Sequence, residues 1–200
     1  VSDLLGSDEL KGNVKVVVPV GFAWGGKPED QCLGDILVAS KVVDAGHVRV
    51  GDETEQRGDV TTCPLADTVN SLLGDQWPSN SDTHFTKDIE ILQDARRPKV
   101  HVGAVISLPE LIDNKERAGA LLRHPHIAPH KPIGGDMESY QIVCAAGRIP
   151  WFFVKAICDF AGLDGSKNKD AQRLAAAAAA HFADWALRHE VFDSLLDSSV

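Results

Sequence analysis

The chain has no cysteine pair at the spacing of a metal or redox motif. Its four cysteines stand at 32, 63, 144 and 158 without a CxxC, and two lie inside apolar segments where a small buried thiol is ordinary. That argues against a disulfide framework. Positive charge is also scarce: 20 Lys and Arg against 29 Asp and Glu give a formal charge of −9. Sequence-independent nucleic-acid binding needs cations to neutralise phosphates, so a nucleic-acid partner is not expected. A charged, apolar, then small-residue leader is missing, and no apolar run approaches the roughly 18 residues that cross a bilayer. The expectation is a soluble, cytoplasmic protein with no membrane partner. What is present, 200 residues of which 44% are hydrophobic, suits one globular domain.

Alternation of strand-like and helix-like segments predicts an α/β layer structure. Val14–Val20 is a continuous β-branched run that ends in a glycine turn, Gly21–Gly25. Asp35–Ala39 and Val42–Val50 are further strand candidates. From Gly51 to Lys99 the sequence turns polar, punctuated by Gly58, Pro64 and Pro78, with one helical stretch at Leu65–Leu73. Val100–Ser107 returns to strand, and Pro109–Leu122 reads as helix. Lys167–Val191 reads as a long helix led by Asp170 and driven by an alanine run of high helix propensity. Flanking Leu174, Phe182, Trp185 and Leu187 make that run a packed helix rather than low complexity.

The most informative stretch is Gly134–Gly162, GGDMESYQIVCAAGRIPWFFVKAICDFAG. Asp136 and Glu138 precede a helix-like run, Ser139–Ala146. Asp159 follows the apolar run Trp151–Ile157, which reads as a buried strand. Ligands of α/β folds bind outside the carboxyl ends of the strands, so Asp159 stands where a functional carboxylate is expected; the plain alternative is a cap for the next segment. Arg96, Arg97, Lys99 and Lys155 offer local cations to a small anion. Read plainly, they are a solvated strand start and a sheet-edge lysine. The histidines at 124, 126 and 130 in RHPHIAPHKP lack a Cys pair or an i,i+4 spacing. They are expected in a polar loop rather than around zinc.

GGDMES followed by IPWFFVKAICDFAG resembles the signature of the nucleoside phosphorylase superfamily, in its branch of methylthioadenosine/S-adenosylhomocysteine nucleosidases. There an EMEGAA-like turn precedes an AISD-like strand end. The segments VKVVVPVGFAWGGKPEDQCLGDILVASKVV and GAVISLPELI resemble two further blocks of that branch in the same order, so the resemblance covers most of residues 14–185. It implies a mixed, mostly parallel central sheet flanked by helices in a three-layer sandwich. It also implies hydrolysis of the N-glycosidic bond of a purine nucleoside or nucleotide, without cofactor or metal, by a homo-oligomer.

By the same resemblance Asp159 matches the aspartate that acts as general acid toward the base. Met137 and Glu138 match a pair that contacts ribose, and Gly21, Phe22 and Ala23 match the turn beside the sugar or phosphate. Ile112 matches a position whose backbone reads adenine, and Leu111 one whose aromatic stacks on it. Cys158, beside the acid, replaces a serine, and Ser139 replaces a glycine. Phe22 and Trp24 replace small or hydroxylated residues, which weakens phosphorolysis relative to hydrolysis. The family's first strands, with the acidic residue that activates water, precede its glycine turn. This chain reaches the turn by Gly21, after a 1–13 segment that reads as a helix tail and turn. The resemblance therefore implies that residues 1–200 are an amino-terminally incomplete domain with an unpaired sheet edge. A nucleotide-sensing or effector module of a larger protein, without turnover, is the alternative; a purine nucleoside phosphorylase is a further one.

Overall fold

A computed structural model describes residues 13–46, 48–50, 54–56, 58–72, 98–162 and 169–188. Its strands are β1 (Val20–Gly25), β2 (Ile36–Asp44), β3 (Val48–Val50), β4 (Thr54–Gln56), β5 (Val60–Thr62), β6 (Val100–Ser107), β7 (Gly134–Asp136) and β8 (Val154–Asp159). Its helices are α1 (Ala66–Leu72), α2 (Lys115–Leu122), α3 (Ser139–Ala146) and α4 (Lys169–Leu187), with a 3-10 turn at Ala128–His130. β3 and β4 pair with each other, and the remaining strands form one sheet in the order β5-β2-β6-β7-β1-β8. β1–β8, β2–β6 and β6–β7 are parallel, whereas β1–β7, β2–β5 and β2–β8 are antiparallel. The expected α/β class, a mixed sheet flanked by helices, is the one the chain adopts.

The sheet curls until its ends meet. One edge of β2 pairs with β6 along its whole length. The other edge is shared: Ile36–Val38 pair with Val154–Ala156 of β8, and Lys41–Val43 pair with β5. A register shift between Ala39 and Lys41 separates the two halves, and the added twist of such a bulge lets the strand leave one neighbour for another. Closure of this kind removes open strand edges. Closure is not complete at β1: its ladder with β7 covers only Trp24 and Gly25, so among the described residues Val20–Ala23 are paired on the β8 side alone.

Two apolar clusters hold the layers. In the larger, Ile36, Leu37, Phe152, Phe153 and Ile157 meet the face of α4 that carries Ala175, Ala178, Ala179, Phe182 and Ala186. These α4 positions recur at helical spacing, and their methyl groups let the helix sit close on β8, β1 and β2. In the smaller, Trp24, Ala104 and Ile106 pack with Ala118 and Leu121 of α2 and with Ile127.

Ser139–Ala146 and Val100–Ser107 have the bounds expected of them. Elsewhere the boundaries move. Val14–Val20 is not the strand; only Val17 makes a bridge, to Trp151, and the strand is the glycine segment itself. The strand expected at Trp151–Ile157 starts at Val154 and runs to Asp159. Asp35–Ala39 and the first part of Val42–Val50 merge into β2. The helix expected from Pro109 starts at Lys115, because the Asn114 side chain accepts from the Arg117 N–H at 2.9 Å and caps it there. Arg96, Arg97 and the ends of the Lys167–Val191 expectation lie outside the described residues.

β7 threads between β1 and β6 at backbone contact. A Cβ on Gly135 would lie 2.6 Å from the Ile106 carbonyl oxygen and 2.6 Å from the Trp24 ring, and one on Gly134 would collide with the Trp24 carbonyl. Neither obstacle can rotate away, since the carbonyls belong to paired strands. Gly135→Ala should accordingly lower the free energy of unfolding by roughly 1–3 kcal/mol or more, read from chemical denaturation.

Cys63, buried in the larger cluster, donates from Sγ to the Trp151 carbonyl at 3.2 Å. Burial pushes its thiol from 9.0 up to about 11, against the lowering effect of nearby backbone N–H groups. The native state thus keeps a proton that the unfolded chain releases. This contribution to stability is complete below about pH 9 and lost as pH rises through about 11. Cys63→Ala should flatten the decline of stability across that window by an amount on the order of 2 kcal/mol, measured against the parent chain.

Candidate functional site

The carboxyl end of β8, the start of α3, the segment after β6 and strand β1 face a common cavity of about 350 Å³. β1 contributes Gly21, Phe22 and Ala23, the segment after β6 contributes Leu111 and Ile112, and the β7–α3 junction contributes Met137 and Glu138. Cys158 and Asp159 come from β8. The nine residues that the resemblance assigns to the site therefore line one cavity, whereas Lys99, His124, His126 and His130 do not. Also on its wall are Glu110 and Gln172, to which nothing in the sequence pointed, together with Lys155, Trp24 and Asp136.

Local backbone geometry aims the acidic end. Ala23 pairs with Ile157 and Trp24 with Asp159, so Cys158 has no partner across the β1–β8 ladder and forms a bulge. Bulges re-aim side chains next to sites. Here Cys158 and Asp159 both reach the cavity, whereas Ile157 belongs to the larger core cluster. The chain then turns sharply, with Ala161 left-handed at φ 53° and Gly162 at φ 79°. A left-handed alanine is costly by roughly 1 kcal/mol. The turn brings the Ala161 N–H to Asp159 Oδ1 at 2.8 Å, while the Cys158 thiol donates to Oδ2 at 3.3 Å. The carboxylate is thereby oriented from behind.

The opposite wall is built on Asp136. Its Oδ1 accepts from the Ser139 N–H at 3.2 Å, and its Oδ2 accepts from the Ser139 hydroxyl and from Lys155 Nζ, the latter at 3.1 Å. Lys155 Nζ also lies 3.3 Å from Glu138 Oε2. Lys155 is thus no sheet-edge lysine: β8 is paired on both sides, and its side chain is only 8% exposed. The sequence carried one signal for it, a lone cation inside an apolar strand, which requires a buried counter-charge. Asp136 supplies it.

Between these ends the walls are apolar. Phe22, Leu111 and Met137 are exposed at the mouth and Ile112 is buried. Acidic groups at Asp136, Glu138, Asp159 and Glu110 face a single wall cation, so this surface favours positive charge inside. Among the described residues no group of three or more His, Cys, Asp or Glu is placed to hold a metal. His124 and His126 sit in turns with ring centroids 5.6 Å apart, and the segment continues through the 3-10 turn toward β7. No helix among the described residues is long and apolar enough to cross a membrane.

Comparison with known proteins agrees with this geometry. No family model matches the chain. The sequence is 26% identical over 180 residues to a death domain-containing ATP nucleosidase of Amphimedon queenslandica, covering 84% of this chain and 32% of that protein. It is 25% identical over 170 residues to the 5′-methylthioadenosine/S-adenosylhomocysteine nucleosidase of Mycobacterium bovis, covering 75% of this chain and 61% of that one. The chain therefore spans less than two thirds of the length of either relative. In structure it matches the methylthioadenosine/S-adenosylhomocysteine nucleosidase of Colwellia psychrerythraea, solved in complex with adenine, with a TM-score of 0.64 at 19% identity. That match covers 93% of this chain and 70% of the other. The chain is thus built on the nucleoside phosphorylase superfamily fold and is similar, in sequence as in architecture, to the superfamily's methylthioadenosine/S-adenosylhomocysteine nucleosidase branch.

Proposed function

We propose that the chain hydrolyses the N-glycosidic bond of an adenine-type purine nucleoside or nucleotide. The observation that carries this reading is the placement of Asp159 and Glu138 on one cavity between apolar walls, at a volume of about 350 Å³ that suits a small organic ligand. Asp159 is the general acid. As the C1′–N bond stretches, its electron pair moves into the purine, and a proton delivered to the five-membered ring makes the base a better leaving group. Glu138 accepts hydrogen bonds from the sugar hydroxyls, with Met137 against the sugar and Phe22, Ala23 and Gly21 along its other side. Leu111 and Ile112 flank the base, and Cys158 supports the acid. Water adds its oxygen to C1′ and gives up a proton. The acidic wall opposes the positive charge that builds on the sugar, which is the electrostatic requirement of such a transition state. The names of the relatives and the adenine in the Colwellia complex support the same substrate class.

Chromatography tests the reading directly. The chain incubated with adenosine, 5′-methylthioadenosine, AMP and ATP should release free adenine without added phosphate. Release only in the presence of phosphate would make it a phosphorylase. One fact favours a second reading, a nucleotide-sensing or effector module of a larger protein, without turnover: the matched segment is 32% of the Amphimedon protein. Binding of nucleotide without release of adenine would select it.

Asp159→Asn should abolish adenine release while leaving nucleoside affinity within about tenfold, roughly 1.4 kcal/mol, because the amide keeps shape and polarity but has no acidic proton. Glu138→Gln should weaken binding and turnover together. It removes a charge-assisted acceptor present in both ground and transition states. Near-normal turnover by Asp159→Asn would refute the assignment of the acid.

A further inference from the structure

We infer that Lys155 is a positioning residue for sugar recognition, holding the Glu138 carboxylate against the cavity wall so that its second oxygen is presented to the ribose hydroxyls. This rests on the proposed nucleoside site and adds to it the group that makes Glu138 competent.

The Glu138 side chain is 57% exposed, and a glutamate so placed keeps its rotamer freedom unless something restrains it. Lys155 does so through Oε2 at 3.3 Å, while Oε1 has no hydrogen-bond partner among the described residues. The ammonium is itself held: Asp136, whose side chain is 1% exposed, takes it at 3.1 Å, and Asp136 is fixed in turn by the Ser139 N–H and hydroxyl. Order thus passes from the first residue of α3 through Asp136 and Lys155 to Glu138. β1 runs beside the ammonium without crowding it, since even a Cβ on Gly21 would stand at ordinary contact, 3.4 Å from Lys155 Nζ. Two carboxylates share one cation here. Without it they would repel, turning the exposed Glu138 toward solvent.

A lysine that merely neutralised Asp136 would matter equally for any ligand, whereas a lysine that aims Glu138 matters only for ligands with sugar hydroxyls. Calorimetric affinities of the chain for adenosine and for 2′,3′-dideoxyadenosine separate the two roles. Lys155→Met should weaken adenosine binding by roughly tenfold or more, the scale of a hydrogen bond to a charged group, and dideoxyadenosine binding by less than about threefold. Lys155→Arg should restore the affinity for adenosine. If Lys155→Met alone does not melt cooperatively, the paired substitution Asp136→Asn with Lys155→Met removes the buried charge and is compared in the same way. Equal weakening for both nucleosides, or none for either, overturns the inference. Because affinity is read without turnover, a parent chain that binds adenosine but releases no adenine defeats the hydrolase reading alone. A parent chain that binds neither nucleoside defeats both.

Discussion

Pairing of β8 on both its edges, with β1 on one side and with the first residues of β2 on the other, is the constraint on which the rest depends. It closes the sheet and converts a strand that would otherwise lie at a border into an interior wall. A lysine in that wall can no longer reach solvent. It has to find carboxylates, and the β7–α3 junction, carried alongside by β6 and β1, delivers two of them. Ion pairing at the cavity is therefore a product of sheet closure as much as of the residues themselves.

The cavity joins two kinds of surface that seldom tolerate each other. On its acidic side Asp159 is held by a backbone N–H and a thiol, and Asp136 by a backbone N–H, a hydroxyl and the one ammonium. Its mouth is lined by Phe22, Leu111 and Met137, which offer area without direction. Under the proposed function, a planar base and a hydroxylated ring divide between the two.

Much of this was legible in the sequence wherever the cause was local. Val100–Ser107 carries β-branched residues at Val100, Val102, Val105 and Ile106, and Ser139–Ala146 ends at Gly147, which takes φ 59°. The carboxylate after an apolar strand points to the mouth of an α/β sheet whatever the rest of the chain does. What was hidden depends on distant partners. The glycine segment looked like a turn, but it is a strand, and Gly25 is small because a Cβ there would lie 2.7 Å from the Phe160 ring. Lys155 looked peripheral because sheet closure cannot be seen in a linear pattern. In the Pro109 segment the helix begins only after Asn114, whose side chain caps it, so Pro109–Asp113 stay outside.

The bulge at Cys158 has a meaning beyond its local bend. Side chains alternate along a strand, so parity decides which face each residue serves. With Cys158 unopposed, β8 carries an odd residue just before its functional end. The bulge absorbs that odd residue, so Asp159 stands opposite Trp24 and takes the parity of Val154 and Ala156, where an unbroken alternation would have given it that of Lys155 and Ile157. One unpaired residue thereby decides on which side of the sheet the strand's last carboxylate is displayed.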